Sequence, residues 1–181
     1  MKLTNPEKLM LFMLSEIYDK LGLNDVNTEL LRKAITSENL WALDWEMQGI
    51  VGGESEETPP DVREVVNYLD MWSFLEEAYE SFGPEAKAQV KKEAHPFGDP
   101  VRFSGFDGNN EGELMSIANM LVGEMNRFQR FKGRDLNSHV TLRDNYARMY
   151  KVFEPMRASL IGGGLSPDQV VRVMKAKMHP G

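Results

Sequence analysis

Along most of this chain apolar residues recur at spacings of three and four, the period of a helix with one buried face. The clearest run is Val62, Val65, Val66, Leu69, Trp72, Leu75, Ala78, Tyr79 and Phe82; Thr58 before Pro59 opens it and Gly83-Pro84 stops it. Leu30, Leu31, Ala34 and Ile35 form another, with Asn27 as N-cap. Ser37 then restarts a helix carrying Leu40, Trp41, Leu43, Trp45 and Met47. Its two tryptophans, four apart, share a face as core or interface aromatics. Further on, Leu142, Tyr146, Met149, Tyr150, Phe153 and Met156 follow the polar connection 134–141, with Thr141 as N-cap and Pro155 kinking the end. Ser166, Pro167 and Gln169 give a capping box with proline in the first turn, ahead of Val170, Val171, Val173, Met174 and Met178.

The first helix departs from this one-sided pattern. Thr4 and Glu7 have capping-box spacing, Pro6 suits the first turn, and Gly22 is placed to end the helix. Between Leu9 and Leu14 the segment is apolar around most of its circumference. Such a helix belongs either at the centre of a core or against a second chain.

Residues 85–93 are polar with helical propensity, and read as a short solvent-facing helix or an extension of the one before. Lys87, Lys91 and Lys92 within them read as a solvated face. Two prolines and a glycine keep 95–100 out of a regular helix. The glycine-rich acidic stretch 49–60 and Gly162-Gly163-Gly164 are loops. Strand-like alternation is approached at Val101-Arg102-Phe103-Ser104 alone, and briefly. The expected fold is therefore all-α: a single domain over 1–181 of six or seven helices, with one short extended segment before the motif described next.

That motif opens the stretch 101–131. The loop Arg102-Phe103-Ser104-Gly105-Phe106-Asp107-Gly108-Asn109-Asn110-Glu111 leads into a segment through Leu114, Ile117, Ala118, Leu121, Val122, Met125 and Phe128, expected to stay helical until Gly133. Gly105 and Gly108 permit positive φ or close backbone approach, and Phe103 and Phe106 anchor the loop by burying rings. Asp107, Asn109 or Asn110 can accept from the free N–H groups of a helix start, and Glu111 and Glu113 suit the helix dipole. Capping accounts for most of these residue types. Even so, four polar side chains at Asp107, Asn109, Asn110 and Glu111 exceed what one helix needs, and the surplus could hold a polar ligand or a hard cation. His139, in the second polar knot Asn137-Ser138-His139, could meet them in space.

Composition narrows the chemistry. With 28 acidic against 21 basic residues and a net charge of −7, direct nucleic-acid binding through the whole surface is not expected. The absence of cysteine excludes disulfides, thiolate metal sites and cysteine nucleophiles. His95, His139 and His179 lack metal-ligand spacing, and no calcium loop, phosphate loop or nucleophile elbow occurs. Neither metal nor cofactor is expected. The apolar run from Leu9 to Leu14 is too short for a bilayer and has no signal-peptide flanks, so the expectation is a soluble cytoplasmic protein without a membrane partner.

Four places together carry a resemblance. They are the start Leu3-Thr4-Asn5-Pro6-Glu7-Lys8-Leu9, the F-x-G-F-D motif from Phe103 to Asp107 with its following Gly108-Asn109-Asn110-Glu111, the Asn137-Ser138-His139 knot leading to Tyr146-Ala147-Arg148-Met149, and Leu165-Ser166-Pro167-Asp168. In this order, over essentially the whole chain, they resemble the YfbU family of bacterial proteins. The resemblance implies a predominantly helical cytoplasmic domain, which in some members is joined to a helix-turn-helix DNA-binding domain, an association that suggests ligand sensing. It implies no activity.

Three functional expectations follow. The first is a non-enzymatic domain that binds a small polar ligand or a protein partner through loop 102–111. Its site would be built from Arg102, Asp107, Asn109, Asn110, Glu111, Asn137 and His139, with Phe103 and Phe106 as walls. The second is a hydrolase-like enzyme using Asp107 or Glu111 with His139 as acid and base. The third is a structural homo-oligomer: twelve methionines, three tryptophans and the all-round apolar first helix suit a helical homodimer interface.

Overall fold

In the computed structural model residues 2–47, 57–158, 160 and 163–178 are described; residues 49–56 of the acidic loop, Gly162 and His179 lie outside them. Three helix starts fall where the capping residues of the sequence put them. At α8 (Pro167–Lys175) the capping box closes both ways: Ser166 N–H donates to Gln169 Oε1 at 2.8 Å, and Gln169 N–H donates to Ser166 Oγ at 3.3 Å. Ahead of α1 (Asn5–Lys20), Glu7 Oε2 accepts from both the N–H and the hydroxyl of Thr4, each at 2.7 Å. Those bonds hold the Glu7 carboxyl below its ordinary pKa. Gly22, at φ +70°, turns the chain out of α1. Asn27 Oδ1 accepts the Leu30 N–H at 3.0 Å and starts α2 (Thr28–Thr36).

Ser37 ends α2 rather than opening the next helix. Its hydroxyl donates to the Lys33 carbonyl at 2.7 Å, and Glu38 at φ +60° breaks the helical path, so α3 begins late, at Trp41–Glu46. Trp41 and Trp45 do share a face, meeting edge-on with ring centroids 5.1 Å apart. The long regular run forms α4 (Pro60–Ser81). Pro84 stops it and begins α5 (Pro84–Glu93), a separate polar helix with Val90 as its buried residue. With α5 counted, the described residues hold eight α-helices against the expected six or seven.

The largest departure lies after the motif loop. α6 (Gly112–Asn119) does not run on to Gly133. It widens into a π-turn at Met120–Glu124, where the Met125 N–H reaches back to the Met120 carbonyl at 3.0 Å. Asn126 and Phe128 then take positive φ, +51° and +49°, and Gln129–Phe131 is one 3₁₀ turn. A turn one residue wider still buries Met120, Leu121, Val122 and Met125, so apolar spacing alone could not reveal the break. α7 (Arg143–Arg157) follows, with Pro155 inside its last turn. Leu142, not Thr141, stands at its start. The extended segment expected at 101–104 forms no strand; among the described residues one isolated parallel bridge, between Phe106 and Asn137, lies just beyond it.

The chain divides into two compact units, Met1–Arg63 with Ser116–Arg134, and Glu64–Met115 with Asp135–Gly181. In the first, α1 meets α2 through polar groups. Asp19 accepts from the Thr28 hydroxyl at 2.5 Å and from Arg32 at 2.8 Å, and Arg32 also donates to Ser15 Oγ at 3.2 Å. Thr28 and Arg32 together lower the Asp19 pKa. Ser15 is the residue α1 buries. The helix is therefore not central in a core, one of its two expected settings: Ser15, with the half-buried Leu11, Phe12 and Tyr18, faces the protein, while Leu9, Met10, Met13, Leu14 and Ile17 face solvent. The second unit has an aromatic core. Tyr146 lies 5.6 Å from Trp72 and 5.8 Å from Phe106 between ring centroids, and Phe103 lies 5.7 Å from Phe106. Among the described residues no helix is long and apolar enough to cross a membrane.

Candidate functional site

The motif loop is pinned from below and from the side. Phe103 and Phe106 are buried in the aromatic core, and the Phe103 N–H donates to the buried Glu76 Oε1 at 2.8 Å. Phe106 N–H donates to the Leu136 carbonyl, and Ser138 N–H donates to the Phe106 carbonyl, each at 3.0 Å. Gly105, at φ +87°, lets the two backbones approach: a Cβ there would stand 2.0 Å from the Leu136 carbonyl oxygen.

The polar side chains then close the loop on itself. Asp107, 4% exposed, accepts the Asn109 N–H at 3.0 Å with one oxygen and the Asn110 side-chain amide at 2.5 Å with the other. These bonds, Asn110's first, lower the Asp107 pKa, and the nearby charge of His139 adds to the effect. Asn137 Oδ1 accepts the N–H of Gly108 at 3.1 Å and that of His139 at 3.0 Å, tying loop 102–111 to the second polar knot. Glu111 reaches furthest. Its Oε2 accepts the Asp107 N–H at 3.0 Å, and its Oε1 accepts the N–H groups of Leu142 at 2.8 Å and Arg143 at 2.7 Å. Glu111 thus supplies the cap of α7 that Thr141 was expected to supply.

The two polar knots do come together, as their composition suggested. Asp107, Asn137 and Glu111 are engaged with loop and backbone groups, however, and Arg102, Asn109 and His139 are exposed. His139 sits at φ +56°, and among the described residues no hydrogen bond joins its ring to Asp107 or Glu111.

Open space lies next to this clasp. A cleft of about 590 Å³ is bounded by Asn110 and Glu111 from the loop, Thr141, Asn145 and Arg148 from the start of α7, and Lys177 beyond α8; Arg143, Asp144 and Phe97 also line it. Asn145 Nδ2 and an Arg148 guanidinium nitrogen donate to the Lys177 carbonyl at 3.0 and 3.1 Å, and Arg148 Nε donates to the Ala176 carbonyl at 3.3 Å. These bonds hold the segment after α8 in place. The Lys177 ammonium stands 5.3 Å from the Phe97 ring centre and 5.9 Å from that of Trp72. It has no ion pair among the described residues, and burial lowers its pKa. Arg143, at the rim, is paired with Glu64 through two nitrogens, Nε at 2.9 Å and a terminal nitrogen at 2.5 Å.

A family model for the YfbU domain matches residues 1–176. The chain belongs to the YfbU family. The match takes in all of this YfbU domain's motif loop, the Asn137–His139 knot and Arg148, and stops one residue before Lys177. Of the site residues expected from sequence, Asn110 and Glu111 border the cleft. Asn145, Arg148 and Lys177 border it too, and only Arg148 lay within a motif. Nothing in the sequence marks Lys177, because its position depends on carbonyls gripped by a different helix.

Proposed function

We propose that this YfbU domain is a non-enzymatic binding domain that holds a small polar ligand with an anionic group in the cleft beside loop 102–111. The observation that carries the reading is Lys177. An ammonium group with no carboxylate partner among the described residues, half-buried between two rings, costs desolvation that an anion would offset. Asn110, Thr141 and Asn145 offer neutral polar groups around the same space, which suits orientation of a polar ligand. The loop contributes rigidity: its Glu111 carboxylate holds the start of α7, which bears Asn145 and Arg148. Acid–base chemistry by Asp107 or Glu111 with His139 draws no support from this geometry, since both carboxylates are already engaged with loop groups.

The test is calorimetric titration with inorganic phosphate and a panel of small carboxylates. The parent should bind at least one of them, and Lys177→Met, which keeps the apolar stem, should weaken that binding about tenfold or more, a loss of roughly 1.4 kcal/mol. Equal affinity in the variant, or no binding by the parent, would remove the basis for the reading.

A further inference from the structure

The apolar face of α1 has no partner among the described residues. Leu9, Met10, Met13, Leu14, Ile17 and Leu21 are 53–69% exposed, and Leu23 just beyond is 47% exposed. Scattered exposed leucines are ordinary, but a continuous stripe of this size is not. From the geometry of α1 we propose that this face docks against the same face of a second copy, in an antiparallel helix pair across a two-fold axis.

Area favours a second copy. At roughly 100 Å² for each half-exposed side chain, these six residues, five in α1 and Leu21 at its C-cap, present about 600 Å² per copy. Two such faces bury about 1,200 Å² in total, at the threshold of stable interfaces, and Leu23 adds to that. Spacing agrees: Met10, Leu14, Ile17 and Leu21 follow one another at four, three and four, the seam of a two-helix pair. Charge also permits it. The six residues are uncharged, Lys8 is turned to Glu38 at 3.1 Å, and Asp19 is turned to Arg32. Glu16 and Lys20 remain toward the C-terminal half of α1. An antiparallel pairing centred between Met13 and Leu14 sets Met10 against Ile17 of the second copy. It keeps the two Lys20 residues at opposite ends and brings opposite helix-dipole ends together. A symmetric face of this kind closes on itself and needs no other surface.

Sedimentation equilibrium tests the pairing. The parent should have a mass of twice 20.6 kDa. The double variant Leu14→Glu/Ile17→Glu should fall to 20.6 kDa with unchanged helical circular dichroism, because both positions are exposed in the single copy. The absence of native cysteine gives a second readout. Under mild oxidation Met13→Cys should cross-link to dimer, and Leu21→Cys should not. A monomeric parent, a dimer that survives the double substitution, or cross-linking through Leu21→Cys in place of Met13→Cys would overturn the proposal. So would a parent that stays monomeric and uses this face for a different protein.

Discussion

Glu111 Oε1 accepts the backbone N–H of Leu142 at 2.8 Å, so a carboxylate from the motif loop caps a helix whose N-cap residue lies 31 residues later. The same carboxylate also accepts from Arg143 and Asp107. Replacing it with alanine strands three N–H donors in and beside a buried seam. Glu111→Ala should cost on the order of 3 kcal/mol in urea unfolding, and Glu111→Gln, which keeps an acceptor oxygen, about 1 kcal/mol. Equal, small losses for both would show that water replaces the carboxylate and that the cap contributes little.

The Asp107 carboxyl is held below its ordinary value of 3.8 by Asn110 and the Asn109 N–H. A carboxyl whose folded pKa is depressed contributes stability above its unfolded pKa, and loses it as pH falls through the folded value. The parent should therefore weaken progressively below about pH 4, and Asp107→Asn should show a shallower acid slope. Denaturant midpoints between pH 5 and pH 2 measure it. Parallel curves for the two proteins would mean that Asp107 is not held in its charged form.

Two glycines with similar φ should behave differently. Gly22 at φ +70° has no atom within 4 Å of a built Cβ, whereas at Gly105, φ +87°, the Leu136 carbonyl carbon and oxygen lie within 2.3 Å. Gly22→Ala meets backbone strain alone, about 1–2 kcal/mol. Gly105→Ala must also push the Phe106–Asn137 bridge apart, and should cost more than about 3 kcal/mol or prevent folding. Thermal melts of the two variants side by side check the order; a milder effect at Gly105 would mean that the two loops can separate without loss.

Local signals were the legible part of the fold. Both capping boxes, the Asn27 cap, the Gly22 stop and the apolar face of α4 depend on residues within four positions of one another, and each is present. What the sequence concealed is set by distant partners. Thr141 looked like the cap of α7, yet Glu111 performs that task from another loop. The π-turn at Met120–Glu124 keeps the apolar spacing of a helix while ending it. At the site, the sequence raised a meeting of the Asp107 and Asn137 loops, both dense in short polar side chains, without deciding it; the Asn137–Gly108 bond is what joins them. The direction in which those side chains turn was not readable, since it depends on which backbone donors lack partners after folding.

Lys177 offers a test of the cleft that needs no ligand. Burial lowers its pKa, whereas Asp99, 2.7 Å from the Lys91 ammonium, raises that of Lys91. A lysine depressed in the fold binds fewer protons than in the unfolded chain, so its contribution to stability grows as pH rises through that window. The raised Lys91 acts in the opposite sense, its contribution being lost as pH passes the folded value. Amine labelling followed by mass spectrometry, run from pH 7 to pH 11, should give Lys177 a lower reactivity midpoint than Lys91, whatever their absolute rates. In Phe97→Ala, which opens one wall of the cleft, the Lys177 midpoint should move back toward the ordinary lysine value of 10.5. A midpoint already at that value in the parent would mean that the ammonium is solvated, and would leave the cleft without its reason to attract an anion.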